Sequence, residues 1–144
     1  FTTGDGEVIF KKYSPVGEMN GVAAQYVEVL NRSFALTAFV ADRDRILAVS
    51  GAGRRELADR SISLPLEKLM DARKPYQNEG TADRAVLPCE GSPRVLLCAV
   101  PIIAAGDVTG AVGLLTEDRT AVPDDAQRKA LSVAAAFLAR QMEE

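Results

Sequence analysis

A chain of 144 residues, 47% hydrophobic and 26% charged, is long enough for one domain with a real core, and such a composition excludes the disordered and fibrous classes. A formal net charge of −3 gives no general attraction to phosphate backbones, so this chain alone is expected to bind DNA poorly. The absence of histidine removes the usual general base and the Ser-His and Cys-His nucleophile pairs, and Cys89 and Cys98 are too few for a zinc cluster, so neither a metal nor a cofactor is expected.

The chain opens on Phe1, with Thr2 and Thr3 reading as the middle of a strand, and an earlier native start is expected. Gly4-Asp5-Gly6 reads as a tight turn, and residues 7–13 as a strand rich in β-branched and aromatic residues. A lone hairpin is marginal without partner strands. Ser14-Pro15 then breaks the pattern, because proline has no N–H for a ladder. The expected division is therefore residues 1–13 as the end of one module and residues 14–144 as a second.

Over residues 17–34, Met19, Val22, Ala23, Tyr26, Val29, Leu30 and Phe34 fall at helical spacing, which predicts an amphipathic helix. Residues 36–41 and 46–50 are short apolar runs joined by Asp42-Arg43-Asp44-Arg45, a link that permits only an antiparallel hairpin. Asp42 and Asp44 read either as turn residues or as an acidic cation site, with the turn favoured. The first run is apolar on both parities, so both faces of its sheet are predicted to be covered. Ser50-Gly51-Ala52-Gly53-Arg54-Arg55 reads as a flexible turn or an anion site, without the third glycine of a dinucleotide fingerprint or the Lys-Ser/Thr of a phosphate loop.

Residues 51–93 form the expected cover of one sheet face, with short helices near 54–59 and 65–73 and a strand near 85–87. Residues 95–103 and 108–115 form a second hairpin around Ala104-Ala105-Gly106-Asp107. The apolar run 95–105 falls short of the ~20 residues of a membrane-spanning helix, and a cytoplasmic protein with no membrane partner is expected. The last helix, over about 123–141, opens on Pro123 with Asp124 and Asp125 in the first turn and is rich in alanine. Small residues let helix backbones approach closely, so Met19 and Tyr26 on the first helix and Ala130, Ala134, Phe137 and Leu138 on the last are the candidate contacts of a homodimer or homotetramer.

Phe39, Ser50, Met70, Tyr76 and Cys98, with Arg54 beside them, are the candidate lining of a small-molecule pocket between sheet and cover, although apolar residues at such positions also simply pack. Cys98 sits in an apolar run and Cys89 beside Glu90, settings that disfavour a thiolate. A thiol-based methionine sulfoxide reductase is the enzymatic alternative, and no catalytic residue is expected.

The element order, helix, hairpin, irregular cover, hairpin, helix, resembles the GAF domain family, and Pro101-Ile102-Ile103-Ala104-Ala105-Gly106-Asp107-Val108-Thr109-Gly110-Ala111-Val112 looks like its penultimate hairpin. That resemblance implies an α+β fold: an antiparallel sheet with the terminal helices on one face and an irregular helical cover on the other. The stretches 6–15 (GEVIFKKYSP), 42–44 (DRD) with 48–51 (AVSG), and 136–143 (AFLARQME) are similar to the swapped-hairpin, AbrB-like transcription regulators of endospore-forming bacteria. Membership would imply that residues 1–13 end a DNA-binding module whose basic contacts precede this chain. It would also imply that the remainder is a GAF-type regulatory domain in a sporulation regulator assembled through its terminal helices. The alternative is a small-molecule sensor of the GAF type unrelated to sporulation.

Overall fold

Residues 20–143 are described in a computed structural model. The expectations on residues 1–13, on the Ser14-Pro15 boundary and on Met19 lie outside the described residues.

Helix α1 (Asn20–Phe34) ends where Ala35 turns left-handed at φ 57° and donates its N–H to the Asn31 carbonyl at 2.8 Å. Strand β1 (Thr37–Asp42) then pairs antiparallel with β2 (Ile46–Ser50). In the connection, the Asp42 carboxylate accepts the N–H groups of Asp44 at 2.7 Å and Arg45 at 2.8 Å, which accounts for the aspartate as a turn former.

The cover follows as α2 (Arg54–Leu57), α3 (Leu64–Ala72), a two-residue strand β3 (Tyr76–Gln77) and a 3₁₀ turn over Ala82–Arg84. Ser63 caps α3: its hydroxyl oxygen accepts the Leu66 N–H at 3.2 Å while the hydroxyl donates to the Leu87 carbonyl at 2.6 Å. The segment 85–87 is not a strand. Its one sheet-like contact is the Leu96 N–H donated to the Val86 carbonyl at 2.8 Å, and Pro88 has no N–H with which to extend it. The edge is taken by β3 instead, with Tyr76 opposite Ala99 and Gln77 opposite Cys98.

Strands β4 (Val95–Ala104) and β5 (Asp107–Thr116) complete a five-stranded antiparallel sheet in the order β2-β1-β5-β4-β3, and α4 (Asp125–Glu143) closes the described chain. Five of the six β1 residues are buried, as apolarity on both parities predicts. On one face α1 and α4 bury Ala23, Val27, Leu30, Leu131, Ala134 and Leu138 against Ala38, Val40, Val112 and Leu114. On the other, α2, α3 and the loops bury Leu57, Leu66, Met70 and Cys89 against Phe39, Ile46, Leu96 and Leu115.

A β-bulge decides which side chains of β4 go where. Leu96 pairs with Leu115 and Cys98 with Leu114, so Leu97 is the extra residue and the alternation of faces shifts by one. Leu97 and Cys98 both join the helical-side core, while Leu96 and Ala99 lie in the cover-side core.

Candidate functional site

The six residues expected to share a ligand pocket divide into three places. Phe39 and Met70 are buried in the cover-side core, with Tyr76 packed against it. Ser50 and Arg54 lie instead in a shallow cleft of about 210 Å³ against Gln25 and Glu28 of α1. Cys98 faces the helices because of the bulge, which corrects its assignment to the cover side. Arg54 opens a helix of four residues whose N-cap, Gly53, makes no side-chain capping bond.

The space between sheet and cover is bounded by Leu66, Leu69, Met70, Tyr76, Ala99 and Ala111, with Lys74 and Pro101, and amounts to about 10 Å³. That is room for no more than about one water molecule. Side chains fill the interior, and Tyr76 carries its one described hydroxyl to the lining. Burial first, and then the charge of Glu79, raises the Tyr76 pKa, so its hydroxyl remains a neutral donor at physiological pH.

The helical layer differs. Between α1 and α4 an open groove of about 620 Å³ is lined chiefly by Val22, Tyr26, Val29, Ala130, Val133 and Phe137. Val29 is 59% exposed, Val133 61% and Phe137 41%. The Tyr26 and Phe137 rings meet across the groove with centroids 5.7 Å apart and planes tilted by 41°. Tyr26, Ala130 and Phe137 are thus brought together as candidate contacts. Ala134 and Leu138 are not surface residues: both are fully buried under α4 against the sheet, so neither offers surface to a neighbour, and the small side chain of Ala134 serves close packing within the domain.

Val22, Val29 and Val133 are groove residues outside the expected contact set. Their signal is a second apolar stripe. On α4, Leu131, Ala134, Ala135 and Leu138 face the sheet, whereas Ala126, Ala130, Val133 and Phe137, at i, i+4, i+7 and i+11, line the groove. A helix covering a sheet needs one such stripe, and a second leaves an apolar face that its own domain does not use.

The two thiols lie on opposite faces of the sheet and are both buried. Burial pushes the Cys98 thiol up to about 12, with Asp124 adding to the rise and Arg128 opposing it, and burial likewise raises Cys89 against a smaller opposing effect of Arg60. Both are neutral and poorly nucleophilic at pH 7. For Cys98 the folded state keeps its proton where the unfolded thiol, near 9.0, loses it. Stability should therefore fall as pH rises from about 9 toward 12, by at most about 1.4 kcal/mol per pH unit for this one group. Urea unfolding at pH 8 and pH 10 should show a smaller loss in Cys98→Ala than in the parent, and equal losses would contradict the assignment.

Among the described residues, no cluster of three acidic or sulfur side chains could hold a metal, and no helix is long and apolar enough to cross a membrane.

Comparison with known proteins agrees with this architecture. Residues 18–143 match the family described as stage V sporulation protein T C-terminal, transcription factor. The chain is 36% identical over 144 residues to stage V sporulation protein T of Bacillus subtilis (strain 168), covering 100% of this chain and 80% of that protein. Among solved structures, the GAF domain of a phosphoenolpyruvate-protein phosphotransferase from Acinetobacter superposes with a TM-score of 0.71 at 14% identity, over 86% of this chain and 81% of that one. A type II free methionine-R-sulfoxide reductase from Thermoplasma acidophilum gives 0.61 at 12% identity, over 86% and 94% of the two chains. The cofactor-binding GAF domain of the nutrient sensor CodY from Clostridium difficile gives 0.60 at 11% identity, over 81% of each. With α1 and α4 on one face of the antiparallel sheet, short helices on the other, and the family match spanning both, the chain belongs to the stage V sporulation protein T C-terminal family of transcription factor domains and carries a GAF fold.

Proposed function

We propose that this domain is the assembly and regulatory unit of a sporulation transcription regulator, joining copies of a DNA-binding module through the outer faces of α1 and α4. The observation that carries this reading is the open groove between α1 and α4, in which Val29, Val133 and Phe137 are exposed and Val22, Tyr26 and Ala130, packed at the edge of the core, extend the same apolar surface. In this reading DNA is contacted by a preceding module that ends with residues 1–13, the regulatory domain starts at Ser14, and the regulator works in the cytoplasm. A partner helix pair seated in the groove removes that apolar area from water and supplies the packing that the second stripe lacks.

The cover side is the sensing side of the same unit. Its cavity is all but filled by side chains, so a ligand enters by displacing Met70 and Tyr76, and the likeness to the GAF domain of a nutrient sensor supports this role. The domain acts without catalysis: the two thiols are separated by the sheet and protonated at neutral pH, an arrangement unsuited to thiol-dependent sulfoxide reduction.

Assembly is tested by sedimentation of the chain and of Val133→Glu. Val133 is exposed in the protomer, so the variant should keep its fold and melting curve. A carboxylate buried in the interface should weaken self-association by roughly tenfold or more. A parent that stays monomeric at high concentration, or a variant that assembles as well as the parent, rejects the reading.

A further inference from the structure

The tip of the β4–β5 hairpin is gripped from both faces of the sheet. Ala104 and Asp107 pair, and between them Ala105 at φ 51° and Gly106 at φ 87° make a two-residue turn with both central residues left-handed. The turn has little freedom to bend internally, so a pull on one of its atoms moves the others. From the cover side, the Arg73 guanidinium donates to the Gly106 carbonyl at 2.8 Å. From the helical side, the Glu143 carboxylate in the last turn of α4 accepts the Ala105 N–H at 3.0 Å. One residue earlier, the Met142 sulfur lies 3.1 Å from the Thr109 hydroxyl on β5.

Each grip begins at an element already placed in the functional reading. Arg73 is the C-cap of α3, left-handed at φ 61°, with its N–H donated to the Met70 carbonyl at 3.0 Å. Helix α3 carries Leu66 and Met70, which line the cover-side cavity. Glu143 ends the helix whose outer stripe carries Val133 and Phe137. The sheet lies between α3 and α4.

We propose that the Ala105-Gly106 turn is a mechanical link between them: displacement of α3, as a ligand entering beneath Met70 requires, is passed through Arg73 and the rigid turn to Glu143 and the last turn of α4. The link deepens the assembly-and-sensing reading and rests on it for its biological meaning. It is measured within one protomer, so its failure is distinguishable from a failure of assembly.

Hydrogen exchange on the 144-residue chain tests it. Arg73→Asn removes the guanidinium while suiting the left-handed backbone, and it should speed exchange at residues 140–143, across the sheet, by about two- to tenfold, the effect of losing one exposed hydrogen bond on local opening. Glu143→Ala should speed exchange at residues 70–73 in the opposite direction. Arg43→Ala is the control for general loosening of α3, because it removes the Arg43–Asp71 ion pair at 2.5 Å and leaves Arg73 on the turn, and its effect at residues 140–143 should be well below that of Arg73→Asn. Unchanged exchange at 140–143 in Arg73→Asn, unchanged exchange at 70–73 in Glu143→Ala, or an Arg43→Ala effect equal to that of Arg73→Asn overturns the proposal.

Discussion

Gly110→Ala is expected to cost more than about 4 kcal/mol and to leave little folded protein, because the added methyl has no space that a side chain can vacate. Gly110 lies on β5 opposite Asp42 of β1, in the middle of the sheet. A Cβ built there collides with the Ala41 carbonyl oxygen and lies 3.1 Å from the Ala41 carbonyl carbon and the Asp42 Cα. All three are backbone atoms of a strand paired on both sides, so relief requires the β1–β5 ladder to part. The neighbouring bulge, where Ile102 pairs with Gly110 but Ile103 with Val108, gives β5 an extra residue beside this close approach, a setting in which glycine is common. Urea unfolding should show the midpoint displaced below the range where the parent begins to unfold. A variant within about 1 kcal/mol of the parent would mean that the strands are further apart at this point.

Gly113→Ala should be less severe, about 1–3 kcal/mol, and should be rescued from a named neighbour. Its Cβ would fall 2.6 Å from Cε1 and 2.9 Å from Cζ of Phe39, and 3.1 Å from the Cys98 carbonyl oxygen. The ring rests on the glycine, and Phe39 is completely buried, so it has little room to swing clear. Shortening the offending side chain as Phe39→Leu should make the second substitution cheaper, with a coupling of about 0.5–3 kcal/mol between the two. Strict additivity in the double-mutant cycle would show that the carbonyl contact, rather than the ring, limits the site. Phe39→Leu alone should also enlarge the cover-side space and make it the best variant in which to look for bound ligand.

Much of the architecture was legible because it rests on patterns that local chemistry writes plainly. Both hairpins, the two long helices and the double coverage of the sheet follow from apolar runs interrupted by Asp42–Arg45 and by Ala105-Gly106. What escaped was whatever a single inserted residue or a wide apolar arc decides. Nothing in Val95-Leu96-Leu97-Cys98-Ala99 marks Leu97 as the bulged position, since every residue there is apolar, and so Cys98 was assigned to the wrong face. Two apolar residues on α4, Ala134 and Val133, are neighbours in sequence yet nearly opposite in fate, one fully buried and one mostly exposed. Composition favoured the alanine as a contact, whereas the 3.6-residue period applied to both stripes separates them. The edge strand β3 is two residues long and holds Tyr76 beside Pro75, too brief for alternation to show. Its anchor is Asn78, buried, whose side chain donates to the carbonyls of Arg119 and Ala121 at 2.8 Å each, pairings between segments some forty residues apart that no local pattern encodes.

The two-sided character of α4 also bears on how the sequence can drift. One stripe is committed to the sheet and another to the groove, while Asp125 and Arg128 pair with each other near its start and Glu143 holds the hairpin tip at its end. Ser132, Ala136 and Arg140, at i, i+4 and i+8, remain as an exposed strip one residue wide. Homologous helices should vary freely along that strip and sparingly elsewhere, so a tag, a label or a solubilising charge belongs at Ser132 or Ala136.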